Sequence, residues 1–267
     1  MSRSVWLVDV ASTLALLLKS KSPRLDEIAE VIERLSDEPT RPGTITAELD
    51  RLASEYQGKY PEPTVETLLH FIFSTEHFRP NPDDYYSPNN SFLGSVLCKR
   101  KGIPISLSLV SIEVGRRVGV TLTPVGMPGH FLIGDGLEPT RWFDPFERGA
   151  ELDIDGCEAI FNSLNKTAFS PQYVRAIPNP HVAARMLSNL RIAFTTEGNV
   201  NRLIATLECV VALPIARNED RHQLATMLAS LGRCDLAAAV HESLAALDPA
   251  AAELHLERAA LLKNRRN

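Results

Sequence analysis

The spacing of the apolar residues changes at Gly119, and this change constrains the fold more than any other feature of the sequence. Before Gly119, a helix is predicted that Pro104 opens and whose apolar face includes Ile105 and Leu109. After it, short apolar segments separated by turns rich in glycine and proline predict three strands, over residues 120–125, 130–133 and 141–143. Strands joined by tight turns favour an antiparallel sheet packed on the preceding helix, so the predicted fold class is α+β.

The segment before this helix is predicted to contain further helices and one long loop. Apolar stripes predict two early helices, over residues 25–35 and 45–56. Residues 79–88 contain three prolines and are predicted to form a loop, because proline cannot continue regular structure. Asn89 or Asn90 is expected to cap the short helix that follows this loop.

The C-terminal part of the chain repeats itself with a period of 34 residues. The matching pairs are Leu190 and Leu224, Gly198 and Gly232, Ala205 and Ala239, and Leu213 and Leu247. Tetratricopeptide helix pairs have this period, and each glycine would lie in the turn between two paired helices. Segment 250–263 would then cap the stack. The Pro-rich stretch 170–180 separates the two parts, which predicts an N-terminal α+β domain over residues 1–170 and an all-α tetratricopeptide-like domain over 181–267.

Charge and cysteine usage exclude several classes of partner. The chain has 28 basic and 33 acidic residues, a net charge of −5, which is not the electrostatic footprint of a nucleic-acid binder. Its four cysteines include no C-x-x-C pair, so neither a zinc knuckle nor a disulfide framework is predicted, and a reducing cytoplasm fits best. The apolar run over residues 5–18 contains Asp9 and is shorter than the roughly 20 residues of a membrane span, so no membrane association is predicted.

The candidate chemistry is centred on His130 and Asp144. His130 begins one predicted strand and Asp144 ends another, so antiparallel pairing of these strands could bring the imidazole within a hydrogen bond of the carboxylate. A carboxylate on one ring nitrogen fixes the tautomer and leaves the other nitrogen free to accept a proton from a nucleophile. The alternative is structural: a backbone carbonyl would satisfy His130, and Asp144 would cap the turn before Pro145.

Two residues are candidates for the nucleophile. A catalytic thiol is expected at the start of the helix that Pro104 opens, because the positive end of the helix dipole lowers a thiol pKa there. No cysteine occupies that place, and Ser106 is the hydroxyl available. Cys98 lies earlier, near the end of the preceding helix, with basic neighbours at 99–101 that would favour a thiolate. A packed, unreactive thiol is the alternative for Cys98.

Four residues of the Pro-rich loop are candidates for ligand binding. They are Tyr85, Tyr86, Asn89 and Asn90, an aromatic and amide rim that would suit a peptide or amide ligand. The alternative is that the loop covers the core and its tyrosines pack there. No spacing requires a metal set from His77, His130 and Asp144, so neither a metal nor a cofactor is predicted.

Several motifs resemble those of the bacterial SirB-type family in their order and spacing. They are His77-Phe78-Arg79, the segments 83–93 and 100–108, Pro128-Gly129-His130-Phe131-Leu132 and Phe143-Asp144-Pro145-Phe146. The resemblance implies a papain-like transglutaminase core joined to tetratricopeptide repeats. It matches His130 and Asp144 to the histidine and aspartate of the transglutaminase triad, and it places the cysteine slot at or next to Pro104, which carries no nucleophile.

Two functions follow as expectations. The first is a cytoplasmic interaction or regulatory module with a transglutaminase-like core, whose repeats hold a protein or peptide partner on a concave surface. The second is an amide- or peptide-bond hydrolase or acyltransferase, with His130 as base, Asp144 orienting it, and Ser106 or Cys98 as nucleophile. The sequence carries no signal for an oligomeric state.

Overall fold

The computed structural model describes residues 4–21 and 23–265, with the backbone alone for residues 4–9. Within these ranges the α-helices are α1 (Ser4–Leu17), α2 (Leu25–Glu33), α3 (Thr44–Lys59), α4 (Val65–His70), α5 (Leu93–Lys99), α6 (Pro104–Val118), α7 (Ile154–Leu164), α8 (Asn179–Thr196), α9 (Val200–Ala212), α10 (Asn218–Ser230), α11 (Cys234–Leu247) and α12 (Ala252–Asn264). The strands are β1 (Arg79–Pro80), β2 (Lys101–Gly102), β3 (Thr123–Val125), β4 (Leu132–Gly134), β5 (Trp142–Asp144) and β6 (Ala150–Leu152). None of the described helices has both the length and the apolar character that a membrane span requires.

The main sheet is the antiparallel meander that the sequence predicts. Its strands follow chain order, β3-β4-β5-β6, and Ile133 pairs with Phe143 in the centre of the register. Each strand is only three residues long, so β3 and β4 are shorter than their predicted segments, whereas β5 has the predicted length and begins one residue later. Strand β6 was not predicted, because Ala150–Leu152 is largely exposed and lacks the apolar run that marks the other strands. Helix α7 was not predicted either.

Strands β3, β4 and β5 are buried on both faces, which explains why they lack polar alternation. Ile133 and Phe143 belong to the main core, on which α6 packs. Leu132 and Trp142 belong to a second, smaller core that includes Phe161 of α7. The indole Nε1 of Trp142 donates to the carbonyl of Val174 at 2.7 Å, which anchors the strand that ends at Asp144.

The Pro-rich loop departs from the predicted structure in two respects. Its first residues form β1, which pairs in parallel with β2 just before α6, so the loop is tied to the start of that helix. The predicted cap by Asn89 or Asn90 is wrong, because α5 begins at Leu93 with Phe92 at the N-cap. Asn90 is instead buried and donates through Nδ2 to the carbonyls of Asp84 and Tyr85, at 2.6 and 3.1 Å.

The C-terminal helices α8–α12 pack on one another in chain order. Gly198 lies between α8 and α9 and Gly232 between α10 and α11, with φ of 68° and 72°, a left-handed conformation that favours glycine at a helix end. Helix α1 packs on α9 and α2 on α8. The main hydrophobic core therefore continues from the N-terminal helices into the C-terminal layer.

Candidate functional site

The imidazole of His130 and the carboxylate of Asp144 form the hydrogen-bonded pair that the strand spacing predicts. Nε2 of His130 lies 3.0 Å from both Oδ1 and Oδ2 of Asp144. The side chains are 12% and 5% exposed, so the pair is largely shielded from water. A carboxylate that faces Nε2 favours a proton on that nitrogen and leaves the lone pair on Nδ1. The geometry is therefore that of an oriented base.

The backbone around the pair is fixed from several elements. Gly129, with φ of 83°, supplies the left-handed turn before His130. Asn165, just after α7, donates through Nδ2 to the carbonyl of Pro128 at 3.0 Å, and Arg185 of α8 donates to the carbonyl of His130 at 3.0 Å. Oδ1 of Asp144 also accepts the backbone N–H two residues on, at 2.8 Å. Asp144 thus both orients the imidazole and caps its own turn.

The start of α6 offers no nucleophile to this pair. Pro104 occupies the first helical position, where its fixed φ suits the helix and its missing N–H leaves nothing unsatisfied. The hydroxyl of Ser106 accepts a hydrogen bond from the backbone N–H of Ile103 and donates one to the carbonyl of Ile103, both at 3.1 Å. Ser106 is 2% exposed, so its oxygen is committed to capping the helix. Among the described residues, no hydroxyl or thiol hydrogen-bonds to His130.

Two thiols, those of Cys98 and Cys157, bear on the question of a nucleophile, and neither forms a hydrogen bond with His130 within the described residues. Cys98 is exposed in the last turn of α5. Cys157 of α7 is fully buried in the second core and interacts electrostatically with Asp144. Burial, then the charges of Asp153 and Asp144, raise the pKa of Cys157 to about 12. This thiol stays protonated and acts as a packing residue.

Three of the four loop residues predicted to bind a ligand are exposed, and the fourth is buried. Tyr85 stacks edge-on against Phe146, with 6.0 Å between ring centroids, so the loop reaches the turn after Asp144. Tyr86 is 61% exposed and Asn89 is also exposed, whereas Asn90 holds the loop from inside. The two tyrosines line a small cavity of about 30 Å³ that Ile103 closes at the start of α6. This volume suits a single water molecule and not a substrate.

A larger cavity of about 420 Å³ opens beside the turn that carries His130, where Gly126 lines it. Three arginines line it, Arg185 and Arg191 of α8 and Arg217 before α10. Asp220 is the carboxylate among its lining residues, 3.5 Å from Arg191 and 3.4 Å from Arg217. The apolar part of the lining includes Ile177, Val210, Leu213 and Ile215. We call this cavity the arginine pocket.

Arg185 is distinctive among the three. It is half-buried and, among the described residues, has no carboxylate within ion-pair distance. Burial lowers the pKa of Arg185, and the nearby Tyr85 acts in the opposite direction. A guanidinium held in a cleft without a counter-ion is a binding group for an anionic ligand.

Sequence reasoning did not single out the residues that support this site. Arg185 lies in the middle of α8 and contacts a turn 55 residues earlier in the chain, so no local pattern marks it. Asn165 is one of several polar residues after α7, and only the fold brings it to Pro128. The turn glycines and prolines were the signal for His130, and nothing comparable accompanies the arginines.

Comparison with known proteins agrees with this architecture. A family model described as the transglutaminase-like superfamily matches residues 43–188, which include α6, the sheet and both members of the His130–Asp144 pair. Among solved structures, none matches the chain.

The relatives include bacterial and animal proteins. A UPF0162 protein of Xylella fastidiosa (strain 9a5c) is 34% identical over 148 residues, which cover 52% of this chain and 50% of the relative. A UPF0162 protein of Pseudomonas aeruginosa is 28% identical over 198 residues, covering 72% of this chain and 65% of the relative. F-box only protein 21 of Mus musculus is 29% identical over 176 residues, covering 62% of this chain and 27% of that protein.

The chain spans about half the length of the Xylella fastidiosa relatives it matches. The family match itself covers more than half of this chain and contains the site described above. The chain therefore belongs to the transglutaminase-like superfamily.

Proposed function

We propose that this transglutaminase-like protein binds an acidic peptide segment of a partner protein without forming a covalent intermediate. The observation that carries the proposal is the arginine pocket, where three arginines and one aspartate line a cavity beside the turn of His130. Apolar side chains between the arginines would bury the non-polar residues of such a segment. Cavities that bind ligands combine an apolar lining with a few oriented polar groups in this way.

Non-covalent binding fits the surroundings of the His130–Asp144 pair. The helix start that would carry a nucleophile has Pro104 and a serine committed to capping. The His130–Asp144 pair would stabilise the turn next to the pocket. Arg185 connects this turn to the pocket, because it donates to the carbonyl of His130 and also lines the pocket. The regulatory role in this proposal is recognition of a partner in the cytoplasm.

The proposal extends to the C-terminal helices. In it, the chain is of the SirB type, residues 1–170 and 181–267 are its two domains, and α8–α12 act as tetratricopeptide-like repeats. The period of 34 residues and the glycines between paired helices support this assignment. Helices α8 and α9 and the start of α10 provide most of the arginine pocket, so the partner would be held mainly by the repeats.

A binding measurement tests the proposal. A short fluorescein-labelled peptide of alternating glutamate and leucine should bind the full chain, and the same peptide with glutamine for glutamate should bind at least about tenfold more weakly. Arg185→Gln should weaken binding of the acidic peptide by about tenfold, roughly 1.4 kcal/mol. Arg41→Gln, which changes an exposed arginine outside the pocket, is the matched control and should bind as the wild type does.

Equal affinity for the two peptides, or an acidic peptide whose affinity Arg185→Gln leaves unchanged, would contradict the proposal. The salt dependence is a second readout, because contacts to carboxylates weaken as ionic strength rises. An affinity that does not change with salt would also count against it.

The intact His130–Asp144 pair favours a second candidate. In it, the protein is an amide-bond hydrolase or acyltransferase, with His130 as base and Cys98 as the nucleophile that ligand binding brings to Nδ1. The observation in its favour is that Nε2 is paired with Asp144, the arrangement that orients a base.

A further inference from the structure

Three histidines from three successive helices meet in the C-terminal layer, apart from the His130 site. They are His222 of α10, His241 of α11 and His255 of α12. One ring nitrogen from each lies within 4.8 Å of the other two. Nδ1 of His241 is 3.3 Å from Nδ1 of His255, and the ring centroids of His222 and His255 are 5.1 Å apart. We call these residues the histidine cluster.

The burial of the cluster leaves one side accessible. His241 and His255 are 8% and 3% exposed, whereas His222 is half-buried and lies toward the surface. An ion could therefore enter beside His222 and reach the rings of the two buried histidines. This combination of an enclosed inner part and an open outer edge is what a metal site with an exchangeable position needs.

The surroundings of His241 disfavour its charged form. Burial lowers the pKa of His241, and the positive charges of His255, Arg258 and His222 lower it further. No carboxylate pairs with any of the three rings among the described residues. Neutral imidazoles keep a lone pair, and this is the form that binds a metal ion.

The distance between the Nδ1 atoms of His241 and His255 matches the spacing of two ligands on one zinc ion. In a tetrahedral zinc site, each zinc–nitrogen bond is about 2.0–2.1 Å long. Two ligand nitrogens of such a site therefore lie roughly 3.3 Å apart. The two Nδ1 atoms have this separation. We propose that His222, His241 and His255 bind one divalent transition-metal ion, Zn²⁺ in the first place, with water as the fourth ligand on the side of His222.

The packing of these helices gives the ion a structural role. The buried residues on α11 are Ala237, Ala238, His241 and Leu244, so small side chains make up much of the interior between α10 and α12. Small cores of this kind gain stability from a cross-link, and a bound ion would join three helices through one ligand each.

Metal titration of the full chain tests the proposal. Zn²⁺ should compete with a chromophoric chelator at one ion per chain, and Co²⁺ should give the visible absorption bands of a tetrahedral site. His222→Gln should weaken Zn²⁺ binding by at least about tenfold, because one of three ligands is lost. His222→Cys replaces one zinc ligand by another and should restore binding. His70→Gln, an exposed histidine on α4, is the matched control and should leave binding unchanged.

His222 is the residue to change because it is only half-buried, and circular dichroism would verify that each variant keeps its helices. Three results would overturn the proposal. One is the absence of stoichiometric binding by the wild type. Another is binding that persists in His222→Gln. The third is an equal loss of binding in His70→Gln, which would mean that the ion binds surface histidines.

Discussion

The molecule contains two histidine sites that differ in what faces the imidazole. At the sheet, His130 faces the carboxylate of Asp144 at 3.0 Å. In the helical layer, the rings of the histidine cluster face one another, and the nearby charge is the cation of Arg258. A carboxylate fixes the tautomer of the ring it faces, whereas a ring nitrogen without such a partner is available to bind a metal ion. The group that faces a histidine ring, together with the burial of the ring, decides which chemistry the histidine can support.

The largest expected effect is a pH dependence of stability that comes from neither histidine site. Glu33, at the end of α2, is 3% exposed and accepts from the N–H of Gly94 at 3.1 Å. Burial raises the pKa of Glu33 from 4.5 to about 7. Between these values the unfolded chain ionises while the folded chain keeps its proton, so the free energy of unfolding should fall as pH rises, by about 3 kcal/mol in all.

Urea unfolding from pH 4 to 8 measures this fall, and Glu33→Gln should remove most of it because an amide does not titrate. Removing this contribution isolates the pH dependence of the other titrating groups, among which is His241 of the histidine cluster. A Glu33→Gln profile as steep as that of the wild type would show that Glu33 is not the source.

The next effect distinguishes a paired histidine from an unpaired one. Asp144→Ala should lower the free energy of unfolding by about 2–3 kcal/mol, because the imidazole and a backbone N–H lose their acceptor in a largely buried place. Asp144→Asn keeps one acceptor oxygen and should cost about 1 kcal/mol. In metal-free protein, His222→Gln should cost less than about 0.5 kcal/mol, because His222 is half-buried and no carboxylate pairs with it.

Urea unfolding of the three variants in the presence of a chelator measures these differences. If Asp144→Ala were no more destabilising than His222→Gln, the two sites would not differ in the way described.

The sequence predicted the sheet site better than the helical one, for a physical reason. His130 and Asp144 flank tight turns whose glycines and prolines are visible in the sequence, and antiparallel pairing of neighbouring strands makes their contact a local consequence. The histidine cluster depends on how three helices rotate and pack, which no residue spacing specifies. Arg185 was missed for the same reason, since its contact with the turn of His130 needs the long-range packing of α8.

Some local predictions also failed in an instructive way. Asn90 has the side chain of a helix cap, yet its amide holds the Pro-rich loop and α5 begins three residues later. Ser106 has the position of a candidate nucleophile, yet its hydroxyl caps α6. In both places a polar side chain satisfies nearby backbone groups, a competition that residue type alone does not reveal.

If the His130–Asp144 pair has no attacking thiol, the reactivity of the thiols in the native protein does not depend on His130, and alkylation measures this. Iodoacetamide at neutral pH, followed by peptide mass spectrometry, gives a rate constant for Cys98 in the wild type and in His130→Gln. We expect rate constants that agree within about twofold, because an exposed thiol reacts without assistance from His130. A wild-type rate more than about tenfold faster than that of His130→Gln would reveal a coupled thiol–imidazole pair and would show that the site has a nucleophile.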